Sequence, residues 1–188
     1  MLQNQPEVAA SQVPGNKWLL VQSAVIGESS QGIVLENVAR NQAVNDHAFY
    51  LNTVPGPEPK HSVSVTVTFA VPSAANFVEV YTREDPTGRG YGARFAGDGS
   101  LAITRRNGPS DVVTLASTKV TMGLFPLVDG AIRLTPSAEG STRKAAIDGS
   151  TKLTISDTTF LNTNLTGLSM QSVAPNSITV DDFIACPL

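Results

Sequence analysis

The chain has 188 residues, of which 41% are hydrophobic and 15% are charged, and its formal net charge at pH 7 is −3. This length fits one domain that buries a core without disulfides or metals. The slightly acidic balance argues against nucleic-acid binding, which calls for a basic patch, since Arg105-Arg106 and Arg143-Lys144 are more typical of solvated turns. No apolar run approaches the roughly 20 residues that span a bilayer.

The first residues are polar and end in a turn sequence, Val13-Pro14-Gly15-Asn16. We therefore predict an N-terminal arm over residues 1–16 and one domain over residues 17–188. The N-terminus has no basic start followed by an apolar stretch, so no signal peptide is expected, and an intracellular site of synthesis is the simplest interpretation. A virus particle that is assembled in the host cytoplasm would have the same sequence features, and a virion is the predicted location. A secreted or cell-surface protein is the alternative. Cys186 is the single cysteine and cannot form an internal disulfide.

The clearest predicted strand covers residues 61–71, where apolar and hydroxyl side chains alternate without a break. A period of two places one set on each face of a strand. The valines and Phe69 then belong in a core, while Ser62, Ser64, Thr66 and Thr68 face water. This division is typical of an antiparallel sheet in a sandwich.

Short apolar runs separated by turn sequences continue along the whole chain, and the turns include Gly97-Asp98-Gly99 and Asp148-Gly149. The two segments that most resemble helices are 36–46 and 157–162. Regular spacing of strands and turns predicts an all-β fold, a two-sheet antiparallel jelly-roll sandwich. The other predicted strands are 18–26, 33–35, 47–51, 76–83, 90–95, 100–105, 111–116, 131–135, 142–147, 152–156, 165–171 and 177–184.

Three segments carry a family resemblance: the strand at 78–83, which ends in an arginine, the strand at 90–95, and residues 144–149, which end in an Asp-Gly turn. In this order they resemble the concanavalin-A-like (laminin-G-like) jelly-roll superfamily over residues 45–185. The resemblance implies the fold and leaves the function open, because its members include lectins, glycan-binding modules, glycoside hydrolases, adhesion domains and domains on phage particles.

Calcium is the cofactor that the resemblance allows, because lectin-like jelly rolls bind it with loop Asp and Asn side chains and backbone oxygens. We expect no other cofactor. The weak metal-ligand candidates are Asp46, Asp98, Asp181 and Asp182.

A glycoside hydrolase needs two carboxylates roughly 5–9 Å apart. Glu79 is alone on its predicted strand, Glu84 runs into a Pro-containing turn, and Asp181 and Asp182 are expected on opposite faces of theirs. We therefore predict no catalytic pair and no enzyme.

His47 and His61 are the only histidines, and neither lies near a nucleophile-elbow motif. With Cys186 they are too few for a zinc site of three or four ligands.

A sugar-binding face exposes aromatic rings beside polar anchors. Tyr81 and Arg83 are expected on one face of their strand, with Tyr91 and Arg94 on the next strand. The predicted ligand-site residues are Tyr81, Arg83, Tyr91, Arg94, Trp18 and Tyr50.

Three hypotheses for the function follow, from different classes. A neutral surface rich in Ser and Thr, a polar arm and no catalytic constellation favour a structural or interaction protein of a phage or virus particle, such as a capsid decoration or a tail or fibre protein, that assembles with protein subunits as a homo-oligomer. The alternative is a lectin-like carbohydrate-binding module, which would bind glycans with or without calcium. A hydrolase with an unrecognised site is the third hypothesis.

Overall fold

The computed structural model describes residues 60–108, 111–121, 130–174 and 177–188 in full, and before residue 60 the backbone of four strands. The predicted arm and the side chains of Trp18, Asp46, His47 and Tyr50 lie outside the described residues. Every regular element of the described part is a β strand, and nothing in it forms a helix of the length and apolarity that a membrane crossing needs.

The strands pair only antiparallel within two seven-stranded sheets. In chain order they are β1 Trp18–Val25, β2 Ile33–Leu35, β3 Ala39–Asn41, β4 Asp46–Asn52, β5 His61–Phe69, β6 Phe77–Glu84, β7 Gly90–Ala96, β8 Ser100–Gly108, β9 Asp111–Lys119, β10 Ala131–Glu139, β11 Thr142–Ile147, β12 Ser150–Ser156, β13 Leu165–Gln171 and β14 Ile178–Pro187. Sheet A has the order β1-β4-β13-β6-β7-β8-β9, and sheet B has the order β12-β11-β10-β5-β14-β3-β2.

The two sheets pack face to face, with β5 and β10 of sheet B against β6 and β7 of sheet A. Val63, Val65 and Val67 of β5 share one buried core with Val78 and Val80 of β6. The alternation in β5 therefore holds for the apolar residues as far as Phe69, and the all-β sandwich is confirmed. Two expectations for this strand are wrong: β5 ends at Phe69, which leaves Val71 exposed, and Ser64 is buried on the outer face, where its hydroxyl accepts from Arg133. Neither of the two helix-like segments forms a helix in its described residues, because residues 39–41 form β3 and residues 157–162 form part of a loop.

A β-bulge interrupts β6 at its C-terminal end. Gly167 of β13 pairs with Tyr81 and Leu165 pairs with Glu84, so β6 has one extra residue between these pairs. Arg83 has a φ of 53°, in the left-handed region that L-residues seldom adopt. A Cβ on Gly90 of the neighbouring strand would lie 2.4 Å from the Arg83 carbonyl oxygen, so the bulge needs glycine there.

The bulge reverses the alternation of faces after Thr82. The Arg83 side chain points to one end of the sandwich, where it interacts electrostatically with Arg143 and Tyr91. The Glu84 side chain lies on the same face of the sheet as Glu79, and it interacts electrostatically with Glu79 and Arg106. The expectation that Tyr81 and Arg83 share a face is therefore wrong, and so is the expectation that Glu79 is the single carboxylate of its strand.

A second bulge lies in β14, where the register shifts between Asp181 and Ile184 and Asp182 has a φ of 51°. Asp181 pairs with Thr66, and the Thr66 hydroxyl donates to Asp182 Oδ2 at 3.2 Å. Both aspartates are exposed while Phe183 is buried in the core. They share the outer face of sheet B, which corrects the expectation that they point to opposite faces.

Candidate functional site

The outer face of sheet A, which points away from the shared core, carries polar side chains at the centre of the sheet. Because Val78 and Val80 of β6 face the core, Phe77, Glu79 and Tyr81 lie on the outer face. All eight residues of β6 are nevertheless buried. The polar groups must therefore satisfy one another rather than water.

Glu79 is the centre of a hydrogen-bonded cluster that we name the Glu79 network, formed by Glu79, Tyr81, Arg94, Thr104, Arg106 and Ser169. Arg94 Nη2 donates to Glu79 Oε2 at 2.8 Å, and the Thr104 hydroxyl donates to Oε1. Arg106 Nη1 lies 3.5 Å from Oε2. A Cβ on Gly92 would lie 2.9 Å from both the Glu79 side chain and the Thr104 hydroxyl, so glycine leaves the room that the carboxylate occupies.

The Tyr81 hydroxyl links Glu79 to Arg106 and Ser169 within this network. It donates to Glu79 Oε2 at 2.8 Å, accepts from Arg106 Nη1 at 2.6 Å, and lies 2.7 Å from the Ser169 hydroxyl. Burial and the Glu79 charge hold the pKa of Tyr81 well above its usual value. The hydroxyl therefore stays protonated at neutral pH and works as a neutral connector.

The two glutamates of β6 have opposite pKa shifts. Burial alone would raise the pKa of Glu79, but the charges of Arg94 and Arg106 and the Thr104 hydrogen bond lower it below the usual value. Burial raises the pKa of Glu84 well above its usual value, and within the described part of the chain neither of its carboxyl oxygens has a hydrogen-bond partner. The neighbouring arginines thus favour the ionised form of Glu79, and burial favours the protonated form of Glu84.

Neither carboxyl group reaches solvent, because both residues are 0% exposed. Glu79 and Glu84 therefore do not line a cleft that is open to a substrate. Sequence reasoning missed Glu84, since only the bulge brings it to the outer face; the one visible signal was an arginine and two acidic residues directly before Pro86.

Arg94 is the member of the Glu79 network with the most contact with solvent, its side chain being 32% exposed. Its guanidinium carbon lies 4.2 Å from the centroid of the Phe77 ring, and its Nε and Nη2 both donate to Glu79 Oε2. Nη1 makes no hydrogen bond to any described residue. The guanidinium is therefore fixed at one edge and one face, and its remaining donors point away from Glu79.

A second cluster fills one end of the space between the sheets, and we name it the arginine end: Arg83, Tyr91, Arg105, Arg143 and Asp157. The Tyr91 hydroxyl donates to Asp157, and Arg105 Nη1 donates to Asp157 at 2.8 Å. Burial alone would raise the pKa of Asp157, but the hydrogen bonds from Tyr91 and Thr159 and the Arg105 charge lower it to about 2.

The predicted ligand-site residues thus separate into two groups. Tyr81 and Arg94 meet at Glu79, whereas Arg83 and Tyr91 lie in the arginine end. Tyr81, Tyr91 and Arg83 are 0%, 1% and 2% exposed, so the expected exposed tyrosine rings are absent from these positions. The hydroxyl of each tyrosine is bonded to a carboxylate within a packed cluster.

The predicted calcium ligands do not converge in the described part of the chain, where no three His, Cys, Asp or Glu side chains are grouped as a metal site would require. Asp98 instead accepts from Lys119 Nζ at 2.6 Å and from Ser100. His61 is buried and Cys186 is exposed.

No family model and no curated protein matches this sequence. The structure is similar to that of the carbohydrate-binding module CBM66 from Bacillus subtilis, with 15% identity, a TM-score of 0.65, and coverage of 89% of this chain and 94% of that one. It is also similar to the exoplasmic/lumenal domain of VIP36 in a Ca²⁺/Man-bound form, with 11% identity, a TM-score of 0.64, and coverage of 90% and 92%. The carbohydrate recognition domain of Emp46p in a metal-free form has 12% identity, a TM-score of 0.61, and coverage of 89% and 88%.

At this level of identity the likeness establishes the fold alone. The chain has the concanavalin-A-like jelly-roll fold that its strand order and turns resemble, and the predicted fold class is confirmed.

Proposed function

We propose that this chain is a non-enzymatic carbohydrate-binding module and that the outer face of sheet A binds the glycan at Arg94. The proposal rests on the Arg94 guanidinium, which is partly exposed and is fixed by Glu79 at one edge and by the Phe77 ring at one face. The similar structures support the proposal, since they are described as a carbohydrate-binding module, a mannose-bound lumenal domain and a carbohydrate recognition domain.

Saccharide recognition rewards polar groups that are held in place before the ligand arrives, because less conformational entropy is lost on binding. Arg94 Nη1 supplies planar donors for hydroxyl oxygens, and its orientation is set by Glu79, an ionised and fully buried carboxylate. Tyr81 and Arg106 act as positioning residues, because they hold Glu79 and do not reach the ligand.

Calcium belongs to this proposal as an optional cofactor, because VIP36 has been solved with Ca²⁺ and with mannose. Asp98, Asp181 and Asp182 remain the described ligand candidates, with Asp46 outside the described side chains. A glycan-binding activity that survives chelation with EDTA would exclude a calcium requirement. Secretion or a lumenal location also fits the proposal, because VIP36 is solved as an exoplasmic/lumenal domain.

The second hypothesis is a structural component of a phage or virus particle, and the similar structures give it no support. It predicts a homo-oligomer built from subunit contacts, whereas a lone binding module is a monomer. Gel filtration with light scattering separates the two, because an oligomer that dissociates when residues 1–16 are deleted would favour the particle component.

The test of glycan binding begins with a glycan array probed with the labelled chain. The best hit is then titrated calorimetrically with the wild type, Arg94→Ala and Arg133→Ala. Arg133 is the matched control, since it is an arginine on the outer face of sheet B whose Nη2 donates to the Ser64 hydroxyl. We expect Arg94→Ala to weaken binding at least tenfold and Arg133→Ala to leave it unchanged.

Arg94→Ala leaves Glu79 with Arg106, Thr104 and Tyr81, so the variant is expected to fold, and its thermal unfolding curve checks this. The proposal is wrong if no glycan binds, or if both alanine variants bind as the wild type does.

A further inference from the structure

The arginine end contains two deeply buried guanidinium groups. Arg83 of β6 and Arg143 of β11 are 2% and 1% exposed. Arg143 lies over the Tyr91 ring, with its guanidinium carbon 4.1 Å from the ring centroid. Residues 157–164, which connect β12 to β13 and which we name loop 157–164, close this end of the sandwich.

The cluster holds more positive than negative charge. Among the described residues, Arg105 and Arg143 share one carboxylate, Asp157, which already pairs with Arg105 at 2.8 Å, while Arg83 interacts with Arg143 and with no carboxylate. Burial and the charge of Arg143 both lower the pKa of Arg83, which shows that the two guanidiniums repel each other. Buried charges are normally paired, so this excess is unusual.

Backbone carbonyls take the place of a counter-ion. Arg143 donates to the carbonyl oxygens of Gly140, Thr142 and Phe160, and Arg83 Nη1 donates to that of Leu161. Carbonyls supply only partial charge, and the Nε–H groups of both arginines are buried without a hydrogen-bond partner among the residues that the structure describes. Two of these four carbonyls belong to loop 157–164, which is anchored elsewhere by Asp157 and by the Phe160 ring against Tyr91.

We propose that the arginine end is an oxyanion site, at which a sulfate-like or carboxylate group replaces the Phe160 and Leu161 carbonyls as the partner of Arg83 and Arg143. Oxyanions match the planar donor fork of arginine and supply the full negative charge that the carbonyls lack. The anion comes either free in solution or as the acidic group of a saccharide. This site is separate from Arg94, which lies on the opposite face of β7 from Tyr91, and it does not depend on the proposed function.

The test uses the intact wild-type chain, labelled with ¹⁵N, and follows the arginine Nε–H signals by NMR. Sodium sulfate is titrated against sodium chloride at matched ionic strength, followed by a sulfated disaccharide and its unsulfated parent. We expect sulfate to shift the Arg83 and Arg143 signals saturably, with no comparable shift of Arg133. A response to the sulfated disaccharide at tenfold lower concentration than to sulfate would assign the anion to a saccharide, while equal responses would assign it to a free ion.

Variants sharpen the result without carrying it alone. Sulfate is expected to raise the Tm of the wild type and of Arg133→Gln, and Arg143→Gln is expected to lose at least nine-tenths of that rise. If Arg143→Gln does not fold, the wild-type titration still decides. The oxyanion site is refuted if neither sulfate nor the sulfated disaccharide moves the Arg83 and Arg143 signals beyond the chloride control, or if Arg133 responds equally.

Discussion

The outer faces of the two sheets differ although both are built from strands with alternating side chains. On sheet B, Thr66 and Arg133 are partly or fully accessible, and Asp181 and Asp182 are exposed. On sheet A, Glu79, Tyr81 and Thr104 are buried and bonded to one another, and of the Glu79 network Arg94 is the member that is partly exposed. A period of two separates the side chains into two sets, but burial depends on what packs above each face.

A polar face that is buried has a different energetic character from one that is solvated. Exposed ion pairs contribute little, since water and salt screen them. Buried networks lose the solvation of every member, so each bond that is removed leaves an expensive unpaired group. The following variants test this difference, beginning with the largest expected effect.

Replacing Glu79 with Gln should destabilise the fold by about 3 kcal/mol or more, because Arg94 and Arg106 would lose their buried counter-charge. Glu139→Gln is the matched control, since its ion pair with Lys60 lies in solvent and is worth less than about 1 kcal/mol. Urea unfolding of both variants at pH 7 measures the difference. Equal losses would remove the distinction between the two kinds of face.

Asp157→Asn should cost about 2 kcal/mol at pH 7, because the pKa of Asp157 falls from an ordinary value near 3.9 to about 2 on folding. A lowered pKa stabilises the fold above the unfolded value, and this contribution disappears as the pH falls through about 4 to 2. The wild type and the variant should therefore converge near pH 2 in urea titrations. Asp181 is exposed, so the stability of Asp181→Asn should differ from that of the wild type by less than about 0.5 kcal/mol at pH 7 and near pH 2 alike.

Gly90→Ala should destabilise by about 2 kcal/mol through overpacking, because the new Cβ would meet the Arg83 carbonyl oxygen at 2.4 Å. Gly108→Ala is the control: no atom lies within 4 Å of its Cβ position. Thermal unfolding compares them. A neutral Gly90→Ala would mean that the bulge does not depend on the close approach of the two backbones.

Of these variants, Glu84→Gln should change the stability least. The change should be smallest at acidic pH, because protonated Glu and Gln are alike in size and charge. The pKa of Glu84 is raised on folding, so the wild type should lose stability as the pH climbs above the unfolded value of about 4.3. The variant should lack that loss, which gives it higher relative stability at pH 8 than at pH 4. Parallel pH profiles for the two proteins would contradict a buried neutral Glu84.

The fold was predictable from the sequence because strand alternation and turn chemistry are local. Residues 142–147 and 165–171 match their strands at both ends, and the Asp148-Gly149 turn has the positive φ angles that this dipeptide favours. The bulges at Arg83 and Asp182 were not predictable, because they depend on a partner strand and on a glycine in a neighbouring one.

The site was predictable only in part. Tyr81 and Arg94 were selected as residues for stacking and anchoring, and the structure joins them through Glu79, which the sequence showed only as an isolated carboxylate. Burial of both tyrosine rings could not be anticipated, because it depends on long-range contacts such as that between Tyr91 and Asp157. That these residues bind a ligand stays a prediction.

The most direct measurement is a crystal structure of the chain with the highest-affinity glycan from the array. We expect the saccharide on the outer face of sheet A, with a hydroxyl oxygen at hydrogen-bond distance from Arg94 Nη1 and the bonds from Arg94 to Glu79 unchanged. A saccharide seated on the outer face of sheet B beside Arg133, or one that makes no contact with Arg94, would contradict the account.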